Sequence, residues 1–468
     1  MILNQNAKIQ LVLGTNQYAS IYIIQIQYNK GKKMKKRVEK TVLNFKTKKS
    51  NEKMTARSGL LLFVEAFFAM NLDEALAKKI SKPKSGRGFQ TKDFALPLMM
   101  MLYGGGESIS DTREIREDEA LREAGNIDIV PSDSAFGDWI RRIGKRKGIA
   151  GFEKVNDDLV QKMLHKSESK SVTLVVDPSF IKAEKHDAKM TYEGYRGYRP
   201  VYAVILELGL IANYKFKHGN DNGGRFSFVK KSIEKIEKTT NVGLFLADSE
   251  YYVADIFNPC NYKNINFAVA AHIDSSSSKA INEIKEEQWK QFEDKHGVTV
   301  QGVEVAETVH AMDSTKEAFR FVVKRWYNKY NELRFHAVAT NINSGTTQDI
   351  FLKYDNRANA ENVIKENKNG FGMFKMPSGS FAGNAIFFAI GVLCYNLFIA
   401  QKLYTMPCAY GKKTIKSIRW LLLELPAKLV KIACGWVVLE IATHAKKYKM
   451  FCEVRRRNHE LFQFFNSG

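Results

Sequence analysis

Two aspartates stand at the ends of apolar runs, and one predicted helix carries a line of ionic side chains. Asp177 follows Leu174-Val175-Val176, and Asp248 follows Leu244-Phe245-Leu246-Ala247. A central strand buries both faces, so a charged residue at its C-terminal end lies where the sites of open α/β sheets form. Taken singly, each Asp is more simply a polar residue that ends a strand. Further on, Tyr354, Arg357, Glu361 and Lys368 recur at spacings of three, four and seven. At about 100° per residue they fall within roughly 60° of one another. Lys365 lies one turn after Glu361. A surface ladder of ion pairs would show the same spacing. Carboxylates that converge repel one another and do not all stay ionised without cations. Hard divalent ions with oxygen ligands suit such a set, and Mg²⁺ also takes phosphate oxygens.

The segments around these residues predict how they are held. Val172–Val176, Val201–Leu208 and Ile211–Phe216 read as three strands, the last two joined by a turn at Gly209. An amphipathic helix over Phe226–Lys238 follows, then strands over Val242–Ala247 and Phe267–Ala271. Three strands, a helix and two strands make an α/β pattern with a mixed sheet. Residues 272–345 break it. They hold a loop at Ser275–Ser278 and strand-like runs at Val298–Val305, Ala318–Trp326 and Phe335–Thr340, which read as a mostly β insertion. The spacing then predicts a helix over Asp355–Lys368, capped by Asp355 or Asn356 and stopped by Gly370.

Residues 58–165 read as helices. Leu60–Met70 and Asp93–Tyr103 are apolar, and Asp111–Ala124 is highly charged. Phe136, Trp139, Ile140 and Ile143 follow a cap at Ser132 or Asp133, and Arg141, Arg142, Lys145, Arg146 and Lys147 crowd that helix's end. This is a candidate DNA-binding module; the alternative is an ordinary helical domain with cations at a helix C-terminus. Residues 8–28 alternate like a hairpin, and Lys30–Arg37 is a basic run.

The chain has 468 residues, 44% hydrophobic and 26% charged, which excludes collagen-like and wholly disordered classes. The net charge is +22, with +11 in residues 1–57 and +9 in residues 401–468. A near-neutral middle with basic ends suits a polyanion, nucleic acid first and an anionic membrane second; the alternative is two solvated basic tails. Ala382–Ala400 lacks charge over nineteen residues. That length is marginal for a bilayer, and Asn384 and Asn396 interrupt the run, so a buried core helix is expected. The five cysteines form no C-x-x-C pair, and the nine histidines show no metal-ligand spacing. Gly104-Gly105-Gly106 lacks the Lys-Ser/Thr of a nucleotide-binding loop. No secretory signal is read at Met1–Gln5, and a cytoplasmic, nucleoid-associated protein is expected.

Tyr354, Arg357, Glu361 and Lys368 match Y-x2-R-x3-E-x6-K, and with Asp177 and Asp248 the chain resembles DDE-type insertion-sequence transposases of the YREK branch. Gly194-Tyr195-Arg196-Gly197-Tyr198-Arg199-Pro200, Gly219-Asn220 and Thr55-Ala56-Arg57-Ser58-Gly59-Leu60 resemble that family too. Pro178-Ser179-Phe180 after the first Asp departs from its usual small polar residue. The resemblance covers roughly residues 55–400.

It implies an RNase H-like α/β core, a mixed sheet interrupted by a β insertion, between an N-terminal helical domain and a helical C-terminal tail. The implied division is 1–57 basic hairpin and arm, 58–165 helical DNA-binding domain, 166–271 first part of the core and 272–345 β insertion domain. Residues 346–400 are then the second part of the core with the Glu helix, and 401–468 a basic helical region. Asp177, Asp248 and Glu361 are implied as catalytic residues and as ligands of two Mg²⁺ ions, with Mn²⁺ able to substitute. Two such ions about 4 Å apart stabilise the attacking and leaving oxygens of an in-line displacement. Tyr354, Arg357 and Lys368, with Lys365 beside them, are implied to contact DNA. The implied activity is cleavage and strand transfer at terminal inverted repeats. The partners are double-stranded DNA, as transposon ends and target, and a second copy in a homodimer, with no membrane. The alternative is a non-catalytic DNA-binding protein derived from a transposase. Trp289 and Trp326 in the insertion are expected to pack in the core.

Overall fold

The β-branched run after Ser171 forms the centre of a large sheet, as its burial on both faces requires. The computed structural model describes residues 42–43, 45, 47–80, 88–432 and 437–466. The hairpin expected over 8–28 and the basic run at 30–37 lie outside the described residues. Residues 1–52 and 53–468 are separate units, and the second carries all that follows.

The strands are β1 (Met54–Thr55), β2 (Ser171–Pro178), β3 (Ile181–Lys182), β4 (Lys189–Met190), β5 (Arg196–Tyr198), β6 (Val201–Ile205), β7 (Leu210–Lys215), β8 (Asn241–Ala247) and β9 (Asn266–Ala270). They continue as β10 (Lys290–Glu293), β11 (Thr299–His310), β12 (Phe319–Tyr327), β13 (Leu333–Thr340), β14 (Ala427–Lys431) and β15 (Val437–Ile441). The nine-stranded sheet runs β10-β11-β12-β13-β9-β8-β2-β6-β7. Strands β2, β6 and β7 pair antiparallel, while β2, β8 and β9 pair parallel. This is the RNase H-like mixed core. The insertion extends that same sheet, because β13 pairs antiparallel with β9 through Val338↔Ala270.

The helices before the sheet are α1 (Leu60–Ala69), α2 (Leu72–Lys79), α3 (Thr91–Gly104), α4 (Thr112–Glu117), α5 (Glu119–Ala124), α6 (Asp133–Gly144) and α7 (Gly148–Ser167). Ser132 caps α6 by accepting from the Ala135 N–H. Then come α8 (Arg225–Ile236), α9 (Ala254–Tyr262), α10 (Ser275–Asn282), α11 (Thr347–Asp355), α12 (Ala358–Lys365), α13 (Phe381–Ala400), α14 (Ile415–Ile418) and α15 (Ala445–Asn466). Helix α13 is the hub, and α3, α6, α7 and β7 pack around it. Nearly all of Phe381–Thr405, the one stretch among the described residues long and apolar enough for a bilayer, is buried. Asn396 explains the polar interruption. Its amide accepts from Ile211 N (3.0 Å) and donates to Ile211 O (2.9 Å), so it closes the free edge of β7.

Three expectations change. Ser275–Ser278 begins α10 instead of a loop, because Asp274 caps the Ser277 N–H. The helix expected over Asp355–Lys368 begins earlier, at Thr347, where Thr346 and Asp349 form a capping box. It tightens through i→i+3 bonds such as Arg357 N to Tyr354 O (2.9 Å), re-forms as α12, and loosens into a π turn over Glu366–Gly370. The basic C-terminal region is not all helix: β14 and β15 join β1 in a three-stranded sheet.

Candidate active site

Strand pairing sets the two aspartates side by side. Val176 of β2 pairs with Ala247 of β8 in parallel register; Asp177 is the next residue of β2, and Asp248 is the first residue past β8. In-register neighbours on adjacent strands, about 4.8 Å apart, point to one face. Pro178, which has no N–H to donate, ends β2. The Asp248 carboxylate accepts from the Glu250 N–H (3.1 Å) and caps a short turn over Ser249–Tyr251.

Burial pushes the Asp177 carboxyl up to about 7 against the attraction of Arg357, and the charges of Asp248 and Glu361 add to the rise. Burial also raises Asp248, with the Glu250 charge second. In both groups burial disfavours the charged carboxylate.

Helix α12 lies on β2 and β6. It buries Ala360, Val363 and Ile364, a face that turns Glu361 to the rim. Arg357 bridges two of the three acids. It donates to Asp177 Oδ1 (2.9 Å) and to Glu361 Oε1 (3.2 Å). The Glu361 side chain is 57% exposed, whereas that of Asp177 is 14% exposed. Tyr354 is buried, its ring 5.6 Å from that of His336 and 5.9 Å from the Arg357 guanidinium. Lys365 is exposed. Lys368 turns the other way: its Nζ donates to Phe180 O (2.7 Å) and Ser179 Oγ (3.1 Å) and fixes the loop that leaves Asp177. Asp177, Asp248, Arg357 and Glu361 therefore share one edge of the sheet. Tyr354 backs it, Lys368 shapes its loop, and Lys365 stands outside. Trp289 is half-buried under the Arg325 guanidinium, 4.2 Å from the ring centre.

Sequence reasoning gave no role to Arg199 and Glu250. Arg199 is 4% exposed and forms an ion pair with Glu250, two residues past Asp248. Arg225 at the start of α8 donates to Glu250 O (2.9 Å). The Asp248-Ser249-Glu250 spacing and the arginine of Tyr198-Arg199-Pro200 were the available signals.

Whether these residues fit a metal turns on their donor chemistry. Asp177 and Asp248 fit a hard divalent cation, being oxygen donors on neighbouring strands and both raised by burial. The guanidinium of Arg357 already puts a positive charge between Asp177 and Glu361. Among the described residues, no three His, Cys, Asp or Glu side chains are gathered closely enough to hold a metal as they stand.

A transposase-type sheet with acids at the ends of its parallel strands agrees with the family comparison. The chain belongs to the family described as transposase DDE domain group 1, whose model matches residues 38–461. No curated protein matches it. Among solved structures it is similar to piggyBac transposase in a synaptic complex with hairpin DNA, at 11% identity, a TM-score of 0.47, 80% of this chain and 82% of that one.

Proposed function

We propose that the protein is a DNA transposase of the YREK branch that cleaves and joins strands at the terminal inverted repeats of an insertion sequence. The placement of Asp177 and Asp248 directly after the in-register pair Val176 and Ala247, with Glu361 tied to Asp177 through Arg357, carries the reading. Asp177 and Asp248 would hold Mg²⁺ or Mn²⁺ with Glu361 completing the set, and the bound ions supply the charge neutralisation that phosphoryl displacement needs. In the cleavage step a water oxygen bonds to phosphorus and the P–O3′ bond breaks to leave a 3′-hydroxyl. With the acids neutralised, Arg357 would be free to turn its fork to a phosphate, for which its bidentate geometry is suited. Lys365 adds an exposed charge on the same helix, and Lys368 keeps the Ser179–Phe180 loop in place. Tyr354 supports Arg357 from behind. Two ends must be held together, so a homodimer on double-stranded DNA is the simplest assembly.

The test is nicking of supercoiled DNA that carries the flanks of the gene, with Mg²⁺. Asp248→Asn is expected to lower cleavage by about 100-fold or more while leaving DNA binding intact. Undiminished cleavage by Asp248→Asn would refute the assignment. One observation favours the alternative of a DNA-binding protein without cleavage: Arg357 already places a positive charge between Asp177 and Glu361. Binding with no cleavage in either Mg²⁺ or Mn²⁺ would establish that alternative.

A further inference from the structure

The sheet continues from Asp177 to an edge that the proposed cleavage step does not use. Pro178 of β2 pairs with Val201 of β6, and Val201 pairs with Lys215 of β7. Lys215 therefore lies two strand spacings, about 10 Å, from the residue after Asp177. There β7 meets the start of α8, at a notch lined by Arg199, Lys215, Lys217, Gly223, Gly224 and Arg225. Two acids stand beside these four cations. Asp221 pairs with Lys217 (3.2 Å), and Glu250 pairs with Arg199 and Arg225. With both acids taken, Lys215 is the exposed cation left over.

The backbone at the notch is shaped to match. Lys217 is buried, and its Nζ donates to Gly223 O (2.7 Å), which holds the turn before α8. Gly224 caps α8 with a φ of +72°, and no side chain caps the helix's first N–H groups. A Cβ at Gly224 would lie 3.7 Å from Lys215 Nζ and 3.5 Å from Ser227 Oγ, so the lysine charge stands over the open end of the helix. That end is the positive pole of the helix dipole. Arg199 gives an independent sign of a missing partner. It is 4% exposed, it lines the same notch, and its buried Nε has no hydrogen-bond acceptor. Uncapped N–H groups, an ammonium and a guanidinium N–H together suit one tetrahedral oxyanion.

We propose that this notch seats a backbone phosphate of the bound DNA, so that the DNA track runs from Asp177 across β6 to β7 and α8. This rests on the transposase reading and adds to it a contact at the end of the sheet away from the β insertion.

The test measures binding of the full chain to a duplex carrying the flanks of the gene, in EDTA, by fluorescence anisotropy over a series of salt concentrations. Lys215→Ala is expected to reduce the slope of log K against log salt by about 0.9, the share of one phosphate. Ser227→Asp puts a resident carboxylate in the first turn of α8. It should keep Tm at or above the wild-type value, because an acid suits that end of a helix, while DNA binding weakens. Lys230→Ala, farther along α8 where Lys230 already pairs with Glu234, leaves the slope unchanged. Free inorganic phosphate has the same chemistry, and a thermal-unfolding arm at matched ionic strength separates it. A Tm rise with inorganic phosphate in the wild type and not in Ser227→Asp, with DNA binding unchanged in both variants, would assign the notch to the free ion and overturn the proposal. Wild-type slope and affinity in both Lys215→Ala and Ser227→Asp also overturn it and leave the transposase reading standing. Failure of the wild type to bind DNA overturns both.

Discussion

Replacing Asp177 by Asn should make the metal-free protein more stable, and more so at high pH. Asp177 titrates at about 7 in the fold against an ordinary 3.8. Between those values the folded protein holds a proton that the unfolded chain has lost, so stability falls as pH rises. The loss is absent below about pH 4 and complete above about pH 7. At 1.36 kcal/mol per unit it amounts to about 4 kcal/mol at pH 8 and about 2 kcal/mol at pH 5. Arg357 is already counted in that figure, because its attraction opposes the rise. Asn at 177 never carries the charge, so it escapes the loss. For a unit of this size the gain is a Tm increase of about 5 °C at pH 8 and about 2 °C at pH 5. Thermal unfolding in EDTA at the two pH values measures it. With excess MgCl2 at pH 8 the wild type should recover more stability than Asp177→Asn, since a cation compensates only the charged side chain. An increment equal at both pH values, or an Asn variant less stable at pH 8, would show that Asp177 is not a charge held at a cost.

Lys368→Met should destabilise by about 1–3 kcal/mol in urea unfolding, because it strips a donor from Phe180 O and Ser179 Oγ. Amide exchange over residues 179–182 should then quicken without a change in the rest of the sheet. Gly59→Ala should cost about 3 kcal/mol or more, since its Cβ would lie 2.0 Å from Leu422 O and 2.5 Å from Leu423 Cα, which are backbone atoms. Poor recovery of folded variant with lost cooperativity in denaturant is the readout, and wild-type stability would contradict the close approach. Asn396→Leu should cost about 2 kcal/mol by orphaning the Ile211 N–H, while Asn156 still serves Ile211 O at 3.2 Å. Equilibrium unfolding of the two chains checks the difference.

The core strands were legible because largely buried strands read as apolar runs, and the two aspartates lie at their C-terminal ends. The helix around Glu361 was legible in its residues and not in its shape. Its π turn is set by partners far along the chain: Asn367 takes the Tyr202 hydroxyl (3.3 Å) and Glu366 takes the Ile415 N–H (2.8 Å). Strand β1 is two residues long and has no pattern to read. The segment Thr55–Leu60, noted for its resemblance, proves to be a clasp: Thr55 bonds Asp118 (2.6 Å) and Ser58 bonds Leu425 O (2.8 Å). Several cations of the C-terminal region have partners that the net charge does not reveal. Arg419 is spent on the carbonyls of Leu102, Tyr103 and Gly370, and Arg455, Arg456 and Arg457 pair with Glu65, Glu453 and Glu460.

The three acids are held with unequal stiffness, and that bears on the proposed chemistry. Asp177 is paired with Tyr202 of β6, and Asp248 directly follows Ala247, which is paired on both sides with Val176 and Val269. Glu361 sits on an eight-residue helix between a tightened turn and a π turn, with a largely exposed side chain. Such irregular turns mark places where a helix can slide by a fraction of a residue, and they recur at functional sites. Under the proposed chemistry the pair would fix where a cation binds, and Glu361 would follow changes in charge. Arg357 holds Glu361 to Asp177 in the free protein, and under the proposed chemistry that charge would be set free once cations took its place.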